Sequence, residues 1–291
     1  MRALLALIAV TAVWGVTFVQ VKDAVALYPL FAFLAVRFAI ASITLAGPAA
    51  ARLRRLDARG VGAGVVLGLL LAAGYALQTA GLARTTVSST GFITGMYVVL
   101  TPLIVLVLFR QRIGLAAWSG VALATLGLAL LSGIHSGSVA GDLLVLAAAA
   151  VYSLQIVLME RYAPRYDAFA LTFLEMLTAF AAFALVAAVL GDFEVPRGAT
   201  VWAALLVTGI FASALAFLVQ TWAQRRASAT QTALAFSMEP VWAGIFGFAL
   251  AGDRLGTLGW TGCAVILAGI ALAEPAAAST LVRLVSGRRT S

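Results

Sequence analysis

Charged residues are spaced along this chain at intervals that match the length of a membrane-spanning helix. Several runs carry no charge at all, namely 3–21, 60–83, 85–109, 113–141, 143–159, 198–224 and 255–273. Three further runs are each interrupted by a single ionisable residue, namely Arg37, Glu175 and Glu239. A helix needs about 20 apolar residues to cross a bilayer, and these runs lack the alternation of outer-membrane strands.

The spacing therefore predicts an all-α integral membrane protein. We expect ten helices, numbered in chain order, at about 3–22, 28–47, 61–83, 86–109, 114–134, 142–160, 168–190, 200–223, 228–251 and 256–274. The composition agrees, with 63% hydrophobic and 10% charged residues against about 45–50% and about 25% in soluble domains. The single cysteine, Cys263, excludes a disulfide framework and a cysteine-built metal site.

The basic residues fall mainly on one side of the predicted membrane. With the N-terminus in the cytoplasm, 14 of the 19 Lys and Arg residues lie on the inner side, Arg37 lies within a helix, and the outer side receives Lys22, Arg84, Arg197 and Arg254. The positive-inside rule then predicts that both termini are cytoplasmic. We expect the membrane to be a bacterial inner or plasma membrane. The net charge of +8 thus follows from topology, and no nucleic-acid partner is expected.

The chain contains an internal repeat. Shifting the sequence by 142 aligns 78–130 with 220–272 without gaps and with 15 identities, among them Gln78 with Gln220. Upstream, a shift of 138 pairs Trp14 with Tyr152 and Arg37 with Glu175. We expect a first repeat at 3–134, a second at 141–274, and a basic cytoplasmic tail at 275–291. Five helices per repeat is an odd number, which predicts that the second copy is inverted, as in many alternating-access transporters.

Three segments resemble the EamA family of the drug/metabolite transporter superfamily. They are Trp14-Gly15, the run 91–102 (GFITGMYVVLTP), and 239–272, which contains a proline, an acidic-Arg-Leu turn and a closing W-x-G-x(6)-G helix. The resemblance covers about 3–274 and implies a transporter of amino acids, other metabolites or drugs. The first copy departs from the pattern, because Pro102 stands four places later than Pro240 on the repeat alignment. We therefore expect asymmetric kinks in helices 4 and 9.

Glu239 is the first candidate for substrate binding or proton coupling. It lies eleven residues into a helix of about 24, where an ionised carboxylate must be protonated, paired or hydrated. Pro240 removes the backbone donor beside it. The alternative is a structural role, in which protonated Glu239 caps the carbonyl group that the proline leaves free.

Arg37 and Glu175 occupy matching positions in the two repeats. Opposite charges buried in the membrane at such positions predict an ion pair, which either is structural or switches partners as the halves move. The resemblance places helices 2 and 7 at the flanks of the cavity, which favours the structural role.

The same resemblance implies a central cavity lined by helices 1, 3, 4, 6, 8 and 9. The polar and aromatic candidates on these helices are Trp14, Tyr75, Gln78, Thr94, Tyr97, Tyr152, Gln155, Ser213, Gln220 and Ser237. Each of them is expected either to bond another helix or to face the substrate. No Lys or Arg lies mid-helix on these six helices, which favours neutral or zwitterionic cargo.

Several tryptophans and glycines outside the candidate cavity residues are expected to have structural roles. Trp118, Trp202 and Trp260 lie near helix starts and are expected to anchor at the membrane interface. Four-residue spacing of small residues predicts close helix packing at Gly60, Gly64, Gly68, Gly91 and Gly95.

An enzyme is disfavoured, because His135 is the only histidine and no nucleophile-elbow or metalloprotease motif occurs. No nucleotide-binding loop is present, and no cofactor or metal is expected. We therefore expect a secondary transporter that exports an amino acid or related metabolite, with or without proton coupling. Its partners would be membrane lipids, the cargo and protons. The alternatives are a drug, nucleotide-sugar or lipid-precursor carrier of the same fold, or a membrane scaffold or sensor.

Overall fold

The computed structural model describes residues 2–132, 138–246 and 256–273, and their helices fall into ten segments in chain order. Seven are α1 (Arg2–Leu27), α2 (Leu30–Leu53), α3 (Ala58–Leu82), α5 (Leu115–Ser132), α6 (Val139–Tyr162), α7 (Ala168–Leu190) and α10 (Thr257–Ala273). Two are broken, namely α4 (Val87–Gly95 and Tyr97–Phe109) and α9 (Ala229–Phe236 and Glu239–Phe246). The remaining helix, α8 (Ala199–Ala223), contains a π-helical stretch at Val207–Leu215. The ten helices predicted from the charge spacing are confirmed.

Length and composition suit these helices to a bilayer. By these criteria seven of the described helices can cross a membrane, namely α1 to α4 and α6 to α8, while α5 and α10 are shorter and apolar. Large apolar side chains such as Ile43 and Val189 lie exposed on the outer surface, at 74% and 77%. Exposed apolar patches of this kind mark a surface that contacts lipid or another protein. The chain is a multi-pass integral membrane protein.

Helix packing follows a two-fold pattern between the repeats. α2 packs on α7, and α5 packs on α10, so each helix meets its own counterpart. α3 packs on α6, and α8 packs on α1. Because α8 is the counterpart of α3 and α1 is the counterpart of α6, these two contacts are equivalent. The two halves therefore interlock through equivalent surfaces.

Glycines set the crossing of α5 and α10. A Cβ atom at Gly120 would lie 2.6 Å from the carbonyl oxygen of Gly269, and one at Gly127 would lie 2.7 Å from that of Gly262. Because residue numbers rise along one helix as they fall along the other, α5 and α10 run antiparallel. The repeat alignment pairs Gly120 with Gly262 and Gly127 with Gly269, so the contact is reciprocal.

The glycines of α3 pack as predicted. Cβ atoms at Gly60, Gly64 and Gly68 would come within 2.5–2.8 Å of side chains on α7 or on the connection before it. Gly95 also packs closely, against Leu128, whereas nothing lies within 4 Å of a Cβ at Gly91, so the prediction of close packing is wrong there.

The breaks in α4 and α9 occur at matching places. α4 is interrupted at Met96, and α9 is interrupted at 237–238, which the shift of 142 places opposite 95–96. The expected asymmetry of the kinks is therefore wrong. Pro102 lies inside the second segment of α4 without ending it, whereas Pro240 stands in the first turn of its segment, where a missing N–H is tolerated.

Candidate functional site

A cavity lies at the seam between the two repeats, inside the membrane-spanning region. The volume open to the centres of water molecules is about 70 Å³, which is enough for a few waters. Residues from both halves line it, namely Trp14, Thr17, Phe18, Val21, Arg37, Tyr75, Gln78, Thr79, Leu82, Thr94, Tyr97, Tyr152, Gln155, Ile156, Phe217, Gln220, Phe236 and Glu239. Of the ten polar and aromatic residues that we singled out on the cavity helices, all but Ser213 and Ser237 are thus brought together.

The cavity reaches the end of the helix bundle at which α1 and α3 end. Its α1 residues lie between the middle of that helix and its C-terminal part, at 14–21, and its α3 residues all lie within the last eight residues, at 75–82. At the other end the helices close over an apolar cluster that includes Leu7, Val105, Ala223 and Phe236. The cavity therefore has a packed floor on the side of the α1 N-terminus.

Aromatic rings form the boundary between the cavity and this floor. The ring of Trp14 lies 4.8 Å from that of Phe236 and 5.6 Å from that of Phe217, measured between centroids. The Trp14 Nε1 group donates to the carbonyl oxygen of Ala212 over 2.8 Å, within the π-helical stretch of α8. Such stretches leave backbone carbonyls open to partners from other helices, and they recur at functional sites.

Glu239 and Tyr97 meet at the centre of the seam. The Tyr97 hydroxyl donates to the carbonyl oxygen of Phe236 over 2.8 Å, and the same hydroxyl oxygen lies 3.3 Å from Glu239 Oε2. Phe236 is four residues before Pro240, so its carbonyl is the one that the proline leaves without a helical donor. The proposed capping of this carbonyl by Glu239 is therefore wrong, because Tyr97 performs it.

This arrangement leaves the carboxyl group of Glu239 available to the cavity. Glu239 is 7% exposed and lines the cavity, and its Oε1 atom has no hydrogen-bond partner among the described residues. Tyr97 holds Glu239 in place through the other oxygen. The structure thus presents one carboxyl oxygen of Glu239 to the cavity.

Arg37 also faces the cavity, although α2 was expected at its flank. Its Nε donates to Ser213 Oγ over 2.8 Å, and its Nη2 donates to the Tyr75 hydroxyl over 3.0 Å. Its Cζ atom lies 4.5 Å from the centroid of the Tyr75 ring. The long side chain carries the guanidinium from α2 to the cavity wall, so Arg37 lines the cavity although α2 is not among the six helices that the resemblance places around it.

Ser213 stands behind Arg37 and is not part of the lining. It positions the guanidinium from α8 while Tyr75 does so from α3. Ser237, in the break of α9, donates to the backbone of Leu234 over 2.6 Å and does not line the cavity either.

Arg37 and Glu175 do not form the expected ion pair. Within the described residues the only ion pair inside 4.0 Å joins Arg52 to Asp167. Glu175 instead accepts a 2.7 Å hydrogen bond from Gln155 Nε2, away from the cavity. The two side chains do not meet because they extend in different directions. Arg37 extends toward α3 and α8, whereas Glu175 extends toward α6.

The two repeat-matched glutamines have different partners. Gln78 donates to Thr94 Oγ1 over 3.0 Å and accepts from the Tyr152 hydroxyl over 3.1 Å. Gln220 donates to Gln155 Oε1 over 3.1 Å and to its neighbour one turn on, Gln224. The cavity wall is therefore pseudo-symmetric in residue position and asymmetric in hydrogen bonding.

Residues with predicted structural roles lie away from the cavity. Trp202 and Trp260 are about two-fifths exposed near helix starts, and Trp202 Nε1 donates to the carbonyl oxygen of Pro196. Trp118 packs on an apolar cluster between α5 and α10. No group of His, Cys, Asp and Glu that could hold a metal occurs among the described residues. His135 and the tail at 275–291 lie outside the described residues.

Comparison with known proteins agrees with this architecture. The model of the EamA-like transporter family matches residues 1–133 and again residues 139–273. The chain belongs to the EamA-like transporter family. An uncharacterized transporter of Archaeoglobus fulgidus is similar to it, with 34% identity over 265 residues that cover 90% of this chain and 82% of the relative. A crystal structure of a protein with 20% sequence identity matches 96% of this chain and 99% of its own with a TM-score of 0.79, which shows the shared fold.

Sequence reasoning missed several lining residues of this EamA-like transporter, among them Thr17, Phe217 and Phe236. The repeat alignment carried the signal for them. Shifts of 138 and 142 match Thr17 with Gln155, Tyr75 with Phe217, and Thr94 with Phe236. The shift of 142 also matches Tyr97 with Glu239, which are the two residues that meet at the seam.

Proposed function

We propose that this protein is a secondary transporter that exports a small zwitterionic metabolite, an amino acid or a related compound, across the bacterial inner membrane. The observation that carries the proposal is the placement of Arg37 and Glu239 on the wall of one cavity at the seam between the repeats. The two side chains come from different halves of the chain.

The chemistry of the wall suits a molecule with both charges. A guanidinium has five N–H donors, and within the described residues Arg37 uses two of them, on Ser213 and Tyr75. The remaining donors suit a carboxylate, which arginine binds through parallel hydrogen bonds. The free Oε1 atom of Glu239 suits an ammonium group. The rings of Trp14 and Phe217 offer apolar surface to the rest of the cargo.

A single charge on the cargo would leave a protein charge uncompensated. A purely anionic molecule would meet Glu239, and a purely cationic one would meet Arg37, both at low dielectric, where unpaired charges are expensive. Drugs, nucleotide sugars and lipid precursors remain the other cargo classes for this fold.

We propose that transport proceeds by alternating access of two inverted halves. Support comes from the antiparallel, reciprocal packing of α5 and α10, which are the fifth helices of the two repeats. Because the halves are equivalent, each arrangement has a counterpart with the roles of the halves exchanged. With the termini in the cytoplasm, the packed floor faces inward, and this conformation is outward-facing.

The proposal is tested by counterflow in proteoliposomes. Vesicles preloaded with an unlabelled amino-acid mixture are assayed for entry of the labelled mixture, with wild type beside Arg37→Met, Glu239→Gln and a matched control. The control is Glu194→Gln, which makes the same change of carboxylate to amide at an exposed site outside the cavity.

We expect counterflow in wild type and in Glu194→Gln, and a loss of at least about tenfold in each cavity variant, since every 1.4 kcal/mol of lost binding is a factor of ten. Counterflow in no sample, with the protein shown to be folded, would rule out amino-acid cargo. Counterflow that survives in both cavity variants would contradict the assigned roles of Arg37 and Glu239.

A further inference from the structure

Glu175 is a buried carboxyl group that the proposed binding site does not use. It lies on α7, is 0% exposed, and is not part of the cavity wall. Its Oε1 accepts a hydrogen bond from Gln155, whereas its Oε2 has no partner among the described residues. An ionised carboxylate with one hydrogen bond is costly in the membrane interior. Glu175 is therefore stabilised when its Oε2 atom binds a proton or another cation.

The charged and titratable groups on the helices around Glu175 are engaged elsewhere. α7 packs on α2, α3 and α8. Arg37 on α2 binds Ser213 and the hydroxyl of Tyr75 on α3, while α8 has no charged residue between 199 and 223. Asp167, the N-cap residue of α7, lies 3.6 Å from Arg52. On α6, the hydroxyl of Tyr152 donates to Gln78. None of these groups neutralises Glu175.

A relay of side-chain amides connects Glu175 to the cavity. Gln155 donates to Glu175 and accepts from Gln220, which also donates to Gln224 over 2.9 Å. Gln224 in turn donates to the backbone of Ile156 over 2.8 Å. The Oε1 atom of Gln220 is a second buried oxygen of this network without a partner among the described residues.

Two members of the relay, Gln155 and Gln220, also line the cavity. Cargo that draws the Gln155 amide toward itself removes the one donor that Glu175 has. The occupancy of the cavity and the protonation of Glu175 must then affect each other, and such coupling is reciprocal.

We propose that Glu175 is the site that binds and releases the coupling proton of this transporter, and that the hydrogen bonds of Gln155 and Gln220 couple it to the cavity. The step is a simple exchange, in which the carboxylate takes up one proton to become the acid and returns it to water on the other side of the membrane. This inference rests on the proposed function, and it assigns Glu239 to the cargo and Glu175 to the proton.

The first test separates coupling from binding. Proteoliposomes that contain wild type, Glu175→Gln or Thr172→Val are assayed with the labelled amino-acid mixture, both for counterflow and for accumulation driven by a pH gradient of either polarity. Thr172→Val is the matched control, because it removes a buried polar group of the same helix that bonds Thr221 and not the relay.

We expect wild type and Thr172→Val to accumulate cargo about tenfold per pH unit for one proton per cycle, since a tenfold proton gradient drives a tenfold cargo gradient. Glu175→Gln mimics the protonated acid, so it should keep counterflow and lose accumulation. Undiminished accumulation in Glu175→Gln would overturn the proposal. Accumulation that follows a sodium gradient and ignores pH would overturn it as well.

The second test needs no cargo. Infrared spectra of the reconstituted protein at neutral pH should show the carbonyl band of a protonated carboxylic acid, and Glu175→Gln should remove intensity from this band. An unchanged band in Glu175→Gln would overturn the inference, even if that variant lacks all transport. If wild type shows no counterflow, the proposed cargo fails, and the infrared result still decides the state of Glu175.

Discussion

Tyr97 is predicted to stabilise the fold by supplying the hydrogen bond that Pro240 takes away from Phe236. The Tyr97 hydroxyl lies 2.8 Å from the carbonyl oxygen of Phe236 and 3.3 Å from Glu239. Tyr97→Phe removes both contacts and leaves a buried carbonyl without a donor. Such a loss costs about 1–3 kcal/mol in proteins, and hydrogen bonds between membrane helices are worth about 0.6–1.7 kcal/mol. We therefore expect a loss of about 1–2 kcal/mol in the free energy of unfolding.

The cause can be isolated with a second substitution. Pro240→Ala restores an N–H group four residues after Phe236, which lets the helix satisfy its own carbonyl. In that background Tyr97→Phe should cost about 0.5 kcal/mol or less, which gives a coupling energy of about 1 kcal/mol. Reversible unfolding in mixed detergent–lipid micelles measures all four proteins of the cycle.

A control removes a hydroxyl group elsewhere. Tyr162→Phe changes a half-buried tyrosine near the end of α6, and such a change should stay within about 0.5 kcal/mol. If Tyr97→Phe costs the same in the wild-type and in the Pro240→Ala background, the hydroxyl is not replacing the missing helical donor, and the account of the α9 break is wrong.

Two further predictions concern packing and access. Gly68→Ala places a Cβ 2.5 Å from the Cβ of Thr178 and should lower the free energy of unfolding by about 1–3 kcal/mol. The new Cβ of Gly62→Ala meets nothing within 4 Å, so this substitution should raise the free energy of unfolding by up to about 1 kcal/mol. Equal effects of the two substitutions would contradict the α3–α7 contact. In a Cys263→Ser background, Val21→Cys should react with a membrane-impermeant thiol reagent added outside, because Val21 lines the cavity. Leu7→Cys should not react, because Leu7 lies in the packed floor. The reverse labelling pattern would contradict the outward-facing assignment.

The helices could be predicted from sequence because charge is excluded from the membrane core. Gaps between charged residues indicated every helix, and the repeat indicated the matched positions of Gln78 and Gln220 in the cavity wall. Buried polar groups such as Glu239 are rare in apolar helices, so each of them was a strong signal.

The partners of these residues could not be predicted in the same way. In a membrane helix the face toward lipid and the face toward protein are both apolar, so the sequence does not fix how α2 turns against α8. Arg37 therefore donates hydrogen bonds to Ser213 and Tyr75, which the sequence does not predict, and does not form an ion pair with Glu175. The position of Pro102 does not predict the break in α4. The break lies at Met96, opposite the break in α9 on the repeat alignment, and not at the proline.

The central claim is that Arg37 and Glu239 bind opposite charges of one cargo molecule, and competition for counterflow tests it most directly. For an amino acid that wild type transports, we would add excess of the analogue without the carboxylate and of the analogue without the ammonium group. Neither should compete in wild type, whereas the amine should compete for the residual counterflow of Arg37→Met and the acid for that of Glu239→Gln. Equal competition by all analogues in wild type, or no change of preference in the variants, would contradict two-point recognition by this cavity.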